Sequence, residues 1–221
     1  ILAGQDELRI YQVKDKALIE CAAIKITMDE HIVHVDAADM NGNKTDELYV
    51  SSYEGHYANS FVVEFSQGDY KRISDKPLKY FFRVYRPVDT DALLIGQEAG
   101  ISSPFSGTLF QFEWKDGSLI SREEFLMPGS HGIYSFTEAD VDGDESRDYL
   151  VFDKGLFTTN HQFTIFSTTG RITWRDTKKL GGSPNFFNKF VVSEMPEQEF
   201  TPPRIICDYF RDTDALPTVI V

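Results

Sequence analysis

The feature of this sequence that most constrains its fold is a segment that recurs four times. In each copy an apolar run leads into an Asp-rich turn, and a second apolar run follows directly. The four copies of the first run with its turn lie at 32–43, 81–92, 133–144 and 204–215. Recurrence at intervals of tens of residues is typical of folds that repeat one supersecondary unit. The sequence therefore predicts a series of equivalent units.

Each unit contains three further segments that have the features of short strands. The second segments lie at 47–52, 92–97, 148–153 and 217–221. The third segments lie at 7–13, 60–66, 108–114 and 162–167, and the more polar fourth segments at 17–26, 70–75, 118–126 and 171–176. Apolar and polar residues alternate with a period of two, and no segment sustains a helical period. The unit is predicted to be four antiparallel strands.

The length of the repeat favours a particular all-β architecture. The equivalent residues Asp39, Asp89, Asp140 and Asp212 are separated by 50, 51 and 72 residues. A four-stranded β-propeller blade takes roughly 40–50 residues. We therefore expect a β-propeller, with a β-sandwich as the alternative. The predicted units are approximately 1–31, 32–78, 79–130 and 131–180, with an insertion at 178–203 and a partial unit at 204–221.

The phase of the repeat bears on how the predicted propeller is completed. The chain begins in the second strand of one unit and ends in the second strand of another. Either the two partial units form one blade and close a small ring, or 1–221 is a processed protein or a fragment of a larger propeller. The second interpretation is favoured because four blades are the lower limit of the common range.

The amino-acid composition indicates which classes of partner the protein can bind. The 221 residues include 22 Lys and Arg against 35 Asp and Glu, which gives a net charge of −13, and 41% are hydrophobic. This chain can bury a core, but its charge repels a nucleic-acid backbone. No window approaches the roughly 18 apolar residues of a membrane span. An acidic surface attracts metal cations and basic partners.

Two of the Asp-rich turns place oxygen donors at the same offsets. Positions 1, 3, 5 and 9 are Asp140, Asp142, Asp144 and Asp148 in one turn, and Asp39, Asn41, Asn43 and Glu47 in the other. Ca²⁺ takes six to eight oxygens at about 2.3–2.6 Å, and alternate residues of a loop turned around a glycine can direct them inward. The sequence predicts a calcium site in each turn. The alternative is that these residues only make turns.

Neither turn is an EF-hand, and the two predicted sites are not equal. An EF-hand needs Glu at position 12 and flanking helices, whereas this position is Val151 or Val50 between strands. Because 140–148 contains four Asp residues, we expect it to bind the ion more tightly than 39–47. The turn at Asp89 has too few oxygens for a metal, and the sequence leaves metal binding near Asp212 open.

The pattern D-x-[DN]-G-[DN]-x-x-x-[DE] before an apolar strand resembles the calcium loop of FG-GAP and VCBS repeat proteins. It includes Gly143 and Gly42 besides the donors named above, and the segments 48–55 and 93–100 also resemble the strands of that family. The chain departs from the pattern at Lys44 and Glu145, where these loops often have a second Gly. The resemblance implies β-propellers like the head of integrin α-subunits, with Ca²⁺ between the first and second strands of a blade.

The resemblance also implies a function and a location. Members of the family are commonly secreted or lie on the cell surface, so we expect an extracytoplasmic protein, whether periplasmic, in the cell envelope or secreted. The first hypothesis is a non-enzymatic interaction or adhesion module that binds a protein or glycan. The alternative is a carbohydrate-active enzyme, a polysaccharide lyase or hydrolase built on a propeller. No catalytic residue is singled out.

The insertion supplies a candidate partner-binding patch. It contains Phe186, Phe187 and Phe190 among Gly, Asn and Lys residues. Aromatic side chains on an irregular loop can form a recognition surface, and the alternative is that they cover a propeller edge.

The sequence assigns no chemical role to the cysteine and histidine residues. Cys21 and Cys207 lie in apolar runs, which favours small buried side chains rather than a disulfide framework. His31 and His34 are three apart on a predicted strand, a spacing that points them to opposite faces.

Overall fold

The computed structural model describes most of the chain. The described residues are 1–3, 7–27, 29–74, 76–87, 90–100, 107–127, 132–141, 143–154, 161–175, 190–193, 204–207 and 218–220. All regular structure in these ranges is β-strand, and every strand pair is antiparallel. The all-β prediction is therefore confirmed for this part of the chain. The same residues contain no helix with the length and apolar character needed to cross a membrane.

The described residues form nineteen strands. Ten lie before residue 100: β1 Leu2–Ala3, β2 Glu7–Lys14, β3 Ala17–Lys25, β4 Glu30–Ala38, β5 Glu47–Glu54, β6 Tyr57–Ala58, β7 Phe61–Ser66, β8 Asp69–Arg72, β9 Tyr80–Tyr85 and β10 Leu93–Glu98. Nine follow: β11 Leu109–Lys115, β12 Ser118–Glu124, β13 Phe136–Ala139, β14 Asp148–Lys154, β15 His161–Ser167, β16 Ile172–Arg175, β17 Phe190–Ser193, β18 Arg204–Cys207 and β19 Thr218–Ile220.

The first of two compact units comprises residues 1–86 and 90–125. It contains three sheets, with strand orders β1-β2-β3, β4-β5-β7-β8 and β9-β10-β11-β12, and β6 pairs with β5. Strands that are consecutive in sequence are thus neighbours in each sheet, apart from the short β6. This order follows from the tight turns between strands, because a short connection can only join antiparallel neighbours.

The middle sheet of this unit is covered on both faces. Side chains alternate between the two faces of a strand, so Leu48 and Val50 of β5 pack in one core with Leu8 of β2. Tyr49, between them, packs in a second core with Phe82 of β9. Six consecutive residues of β5 are therefore buried. The three sheets are layered, with the two cores between them.

The second compact unit comprises residues 87–89 and 126–221. Its described strands form a sheet of order β13-β14-β15-β16 and another of order β17-β18-β19. A small core contains Ala139, Leu150 and Ile165, with Val141 packed against it.

Three expectations need correction. Phe190 begins β17 and pairs with Cys207, so it does not lie on an irregular loop. Cys21 is exposed on β3 rather than buried. A β-bulge between Ile32 and His34 adds one residue to β4, so that His31 and His34 stand opposite Tyr53 and Ser51, which share a face. The two histidines therefore lie on the same face of the strand, and not on opposite faces.

Candidate functional site

Two hairpin loops, 39–47 between β4 and β5 and 140–148 between β13 and β14, share backbone features at the positions that the structure describes in both. The strand pairing places Ala38 opposite Glu47 in the first unit and Ala139 opposite Asp148 in the second, at the same offset in each loop. The fourth residue of each loop is a glycine with positive φ, 79° and 78°. The sixth residue also has positive φ, 69° in one loop and 66° in the other, although neither is a glycine.

The hydrogen bonds of loop 39–47 explain this conformation. Asp39 accepts the backbone N–H of Gly42 at 2.8 Å through Oδ1 and that of Lys44 at 2.7 Å through Oδ2. Asn43 Oδ1 accepts the N–H of Thr45 at 2.8 Å. A left-handed residue costs free energy unless local contacts hold it. The side chain of Asp39 supplies such a contact at Lys44.

Loop 140–148 repeats these contacts one for one. Asp140 accepts the N–H of Gly143 at 2.7 Å and that of Glu145 at 3.1 Å. Asp144 Oδ1 accepts the N–H of Ser146 at 2.7 Å. The departures noted in the sequence at Lys44 and Glu145 thus occupy equivalent left-handed positions. The described residues of the two loops therefore share three side-chain hydrogen bonds and two left-handed positions.

Each loop closes on a buried acid at the start of a strand. Glu47 is 0% exposed and Asp148 is 6% exposed. Glu47 Oε2 accepts the N–H of Met40 at 2.9 Å and the hydroxyl of Tyr49 at 2.9 Å. Glu47 Oε1 is buried and has no hydrogen-bond partner among the described residues. A buried unsatisfied oxygen costs about 1–3 kcal/mol, and more when it is charged, so this oxygen requires an explanation.

The surroundings of Glu47 disfavour its charged form. Burial raises the pKa of Glu47, and the negative charges of Glu64 and Asp39 raise it further. The hydrogen bonds from Met40 and Tyr49 lower the pKa, but they do not cancel the effect of burial. A cation beside this carboxylate would reverse the balance, since an opposite charge favours ionisation.

A hydrogen-bond chain connects Glu47 to the neighbouring sheet. Tyr49 donates its hydroxyl to Glu47, and the hydroxyl accepts the indole N–H of Trp114 on β11 at 2.7 Å. Burial raises the pKa of Tyr49 well above its ordinary value. The closing acid of loop 39–47 is therefore in contact, through one side chain, with the core between two sheets.

Glu64 is a residue of the site that the loop pattern does not contain. It lies on β7 and stands opposite Glu47 in the strand pairing. Its Oε1 accepts the amide N–H of Asn41 at 2.8 Å and that of Asn43 at 2.7 Å. The sequence shows only a charged residue within an apolar strand, and the register that brings it to the loop is a property of the fold. Glu64 thus belongs to the surroundings of the predicted site.

Several predicted residues fall outside the described ranges. These are Asp142, Phe186, Phe187, Asp89 and Asp212. Phe190 is described in its backbone only. The predicted partner-binding patch and the degenerate turns therefore stay predictions.

The donor set of each loop fits a hard cation. Carboxylates and amide oxygens at positions 1, 3, 5 and 9 are the ligand types that Ca²⁺ prefers. The buried oxygen of Glu47 is the observation that a bound ion would explain. Within the described ranges, no group of three or more His, Cys, Asp or Glu side chains converges as a metal site. The donors of loop 39–47 include the amides of Asn41 and Asn43, which are outside that set of residue types.

Comparison with known proteins identifies no family. No protein-family model matches the sequence, and no curated protein is significantly similar to it.

Proposed function

We propose that this protein is a calcium-stabilised β-propeller module that binds a protein or glycan partner outside the cytoplasm. One observation supports it above the others. Two loops far apart in sequence have left-handed residues at the same two positions, three matching side-chain hydrogen bonds and the same donor offsets. Turn formation alone does not require a buried acid at position 9, and in loop 39–47 this acid has an oxygen with no partner in the part of the chain that the structure describes.

The ion's role in the proposal is structural. In loop 39–47, Asp39 and Glu47 would supply carboxylates, and Asn41 and Asn43 would supply amide oxygens. In loop 140–148 all four donors are Asp side chains. A divalent cation offsets the repulsion between such carboxylates and joins the turn to the strand that follows. A rigid loop also loses less entropy when a partner binds.

The propeller is supported by the sheets of the first unit. Each four-stranded sheet runs in sequence order, and three sheets are layered with cores between them. The second and third sheets are also joined by hydrogen bonds from β9 to β5 and β4. Ser51 Oγ accepts the N–H of Phe82 at 2.7 Å, and Asp36 accepts the N–H of Val84 at 2.9 Å. Such contacts are expected between successive blades.

Thermal unfolding with calcium or with a chelator tests the proposed role of the ion. Calcium at 100 times its dissociation constant stabilises a folded protein by about 2.7 kcal/mol per site. For a chain of this size we expect Tm to rise by roughly 5–10 °C per occupied site. The double substitution D140N and D144N should remove a large part of this rise, because it takes two charges from the more acidic loop.

A matched control distinguishes site effects from general charge effects. Glu54 lies exposed at the opposite end of β5 from Glu47, so E54Q removes one charge without touching either loop. It should keep the full calcium response. Equal Tm values in calcium and chelator for the unsubstituted protein would contradict the proposal.

A further inference from the structure

Glu64 contacts both amide side chains of loop 39–47 with a single oxygen. Its Oε1 lies 2.8 Å from Asn41 Nδ2 and 2.7 Å from Asn43 Nδ2. Glu64 reaches them from β7, the strand that pairs with β5, where it stands opposite Glu47. The contact therefore joins the loop to a neighbouring strand of the same sheet.

The chemistry of the amide gives this contact a meaning. An Asn side chain has an oxygen that accepts and a nitrogen that donates, and the two ends have nearly the same shape. A calcium ion binds only the oxygen. An acceptor on the nitrogen side therefore favours the orientation in which the oxygen faces the ion. Backbone N–H groups act in the same sense at the oxygen end, since Asn41 Oδ1 accepts the N–H of Asn43 at 3.0 Å and Asn43 Oδ1 that of Thr45 at 2.8 Å. A carboxylate oxygen can only accept, so it selects one orientation.

We propose that Glu64 is the positioning residue of a calcium site in loop 39–47. By accepting an N–H from both Asn41 and Asn43, it turns their amide oxygens toward the ion. This inference rests on the proposed function, since it concerns the same site. It adds a residue that lies on another strand and that the loop pattern does not contain.

The second loop supplies an internal comparison. There the third and fifth positions are Asp142 and Asp144, whose carboxylates have two accepting oxygens and need no such orientation. The strand residue opposite Asp148, equivalent to Glu64 in register, is Ser167. The strand residue at this position is thus a carboxylate beside loop 39–47, which has amides at positions 3 and 5. It is a serine beside loop 140–148, which has carboxylates there.

An independent feature of the same loop points to a ligand. Glu47 is 0% exposed, and its Oε1 has no hydrogen-bond partner among the described residues. Its other oxygen accepts the N–H of Met40, so this carboxylate lies against the loop. The amides that Glu64 orients and the open oxygen of Glu47 therefore belong to one loop.

Two substitutions at Glu64 separate orientation from charge. E64Q removes the charge but keeps a side-chain oxygen that can accept both N–H groups. E64M removes the acceptor at similar length. Calcium affinity is measured by calorimetry in a chain that also has D140N and D144N, so that loop 39–47 is the site observed. Loss of a residue that orients a metal ligand typically costs 10–100-fold in affinity.

We expect E64Q to bind calcium within roughly threefold of the Glu64 protein, and E64M to bind roughly 10–100-fold more weakly. E64L removes the acceptor as well, so either folded variant, verified by circular dichroism, decides the matter. Unchanged affinity in the variants without the acceptor would overturn the inference alone. Equal losses in E64Q and E64M would assign Glu64 a charge effect and also overturn it.

Rescue supplies a readout that a merely structural role would not give. In the E64M background, N41D and N43D replace both amides with carboxylates that need no orienting acceptor, so affinity should return to within roughly threefold. Continued weak binding would contradict the positioning role. If the chain with Glu64 intact and both loops unchanged binds no calcium, the proposed function fails together with this inference.

Discussion

At the scale of single residues, the burial and hydrogen bonds of Glu47 are the strongest indication of a bound cation. It is fully buried, one oxygen is used by Met40 and Tyr49, and the other has no partner among the described residues. The contact with Met40 holds the carboxylate against loop 39–47, and the contact with Tyr49 ties it to the core. A charged group held in this way destabilises the fold unless a positive charge compensates for it.

Substitution E47Q should therefore have opposite effects with and without calcium. The pKa of Glu47 is raised in the folded chain, so its contribution to stability is complete below the ordinary Glu pKa of about 4.3 and is lost as pH rises through the folded value. In chelator near pH 7.5, E47Q should raise the free energy of unfolding by about 1 kcal/mol. It should also abolish the part of the calcium response that comes from loop 39–47.

Urea unfolding of both proteins between pH 4 and pH 8 measures this effect. With chelator present, the unsubstituted protein should lose stability with increasing pH more steeply than E47Q. Parallel curves for the two proteins would show that folding does not raise the pKa of Glu47, and would contradict this prediction.

At the scale of elements, the loops and strands differ in how far the sequence predicts them. Alternating residues and Asp-rich turns place β4, β5, β13 and β14 close to their observed bounds, because each pattern depends on local chemistry. The bulge in β4 and the short β6 were not predicted, since pairing with β5 decides both. For the same reason Glu64 was missed, because strand register brings it to Asn41.

The chain from Glu47 through Tyr49 to Trp114 predicts that calcium binding in loop 39–47 reaches the adjacent sheet. A bound cation would favour the ionised form of Glu47. This would alter the hydrogen bond from Tyr49 to Glu47, and with it the bond that the indole N–H of Trp114 donates to Tyr49. The chain has two Trp residues, and W174F removes the other, which is half exposed on β16. In that background calcium should change the emission of Trp114.

Y49F supplies the control for this coupling. It keeps the ring in the core but removes the hydroxyl that joins Glu47 to Trp114. The calcium-dependent change in emission should therefore fall to a small fraction of its value in the protein with Tyr49. An undiminished change in Y49F would mean that the hydrogen-bond chain does not transmit the effect.

At the scale of the whole molecule, the repeat predicts more of the strands than any single motif does. The first three copies of the strand pattern are about 50 residues apart, and in the described part of the chain the strand segments form sheets whose strands follow sequence order. The insertion could not be treated in this way, because it belongs to no repeat. Its strand β17 pairs with β18, which residue patterns alone did not indicate.

The account depends most on calcium binding to the two matching loops, and calorimetric titration of the whole chain with Ca²⁺ measures this directly. Two ions per chain are expected, with the tighter site lost in D140N and D144N and the weaker site lost in E47Q. A titration that releases no heat above dilution, with no ion retained in equilibrium dialysis, would contradict the account.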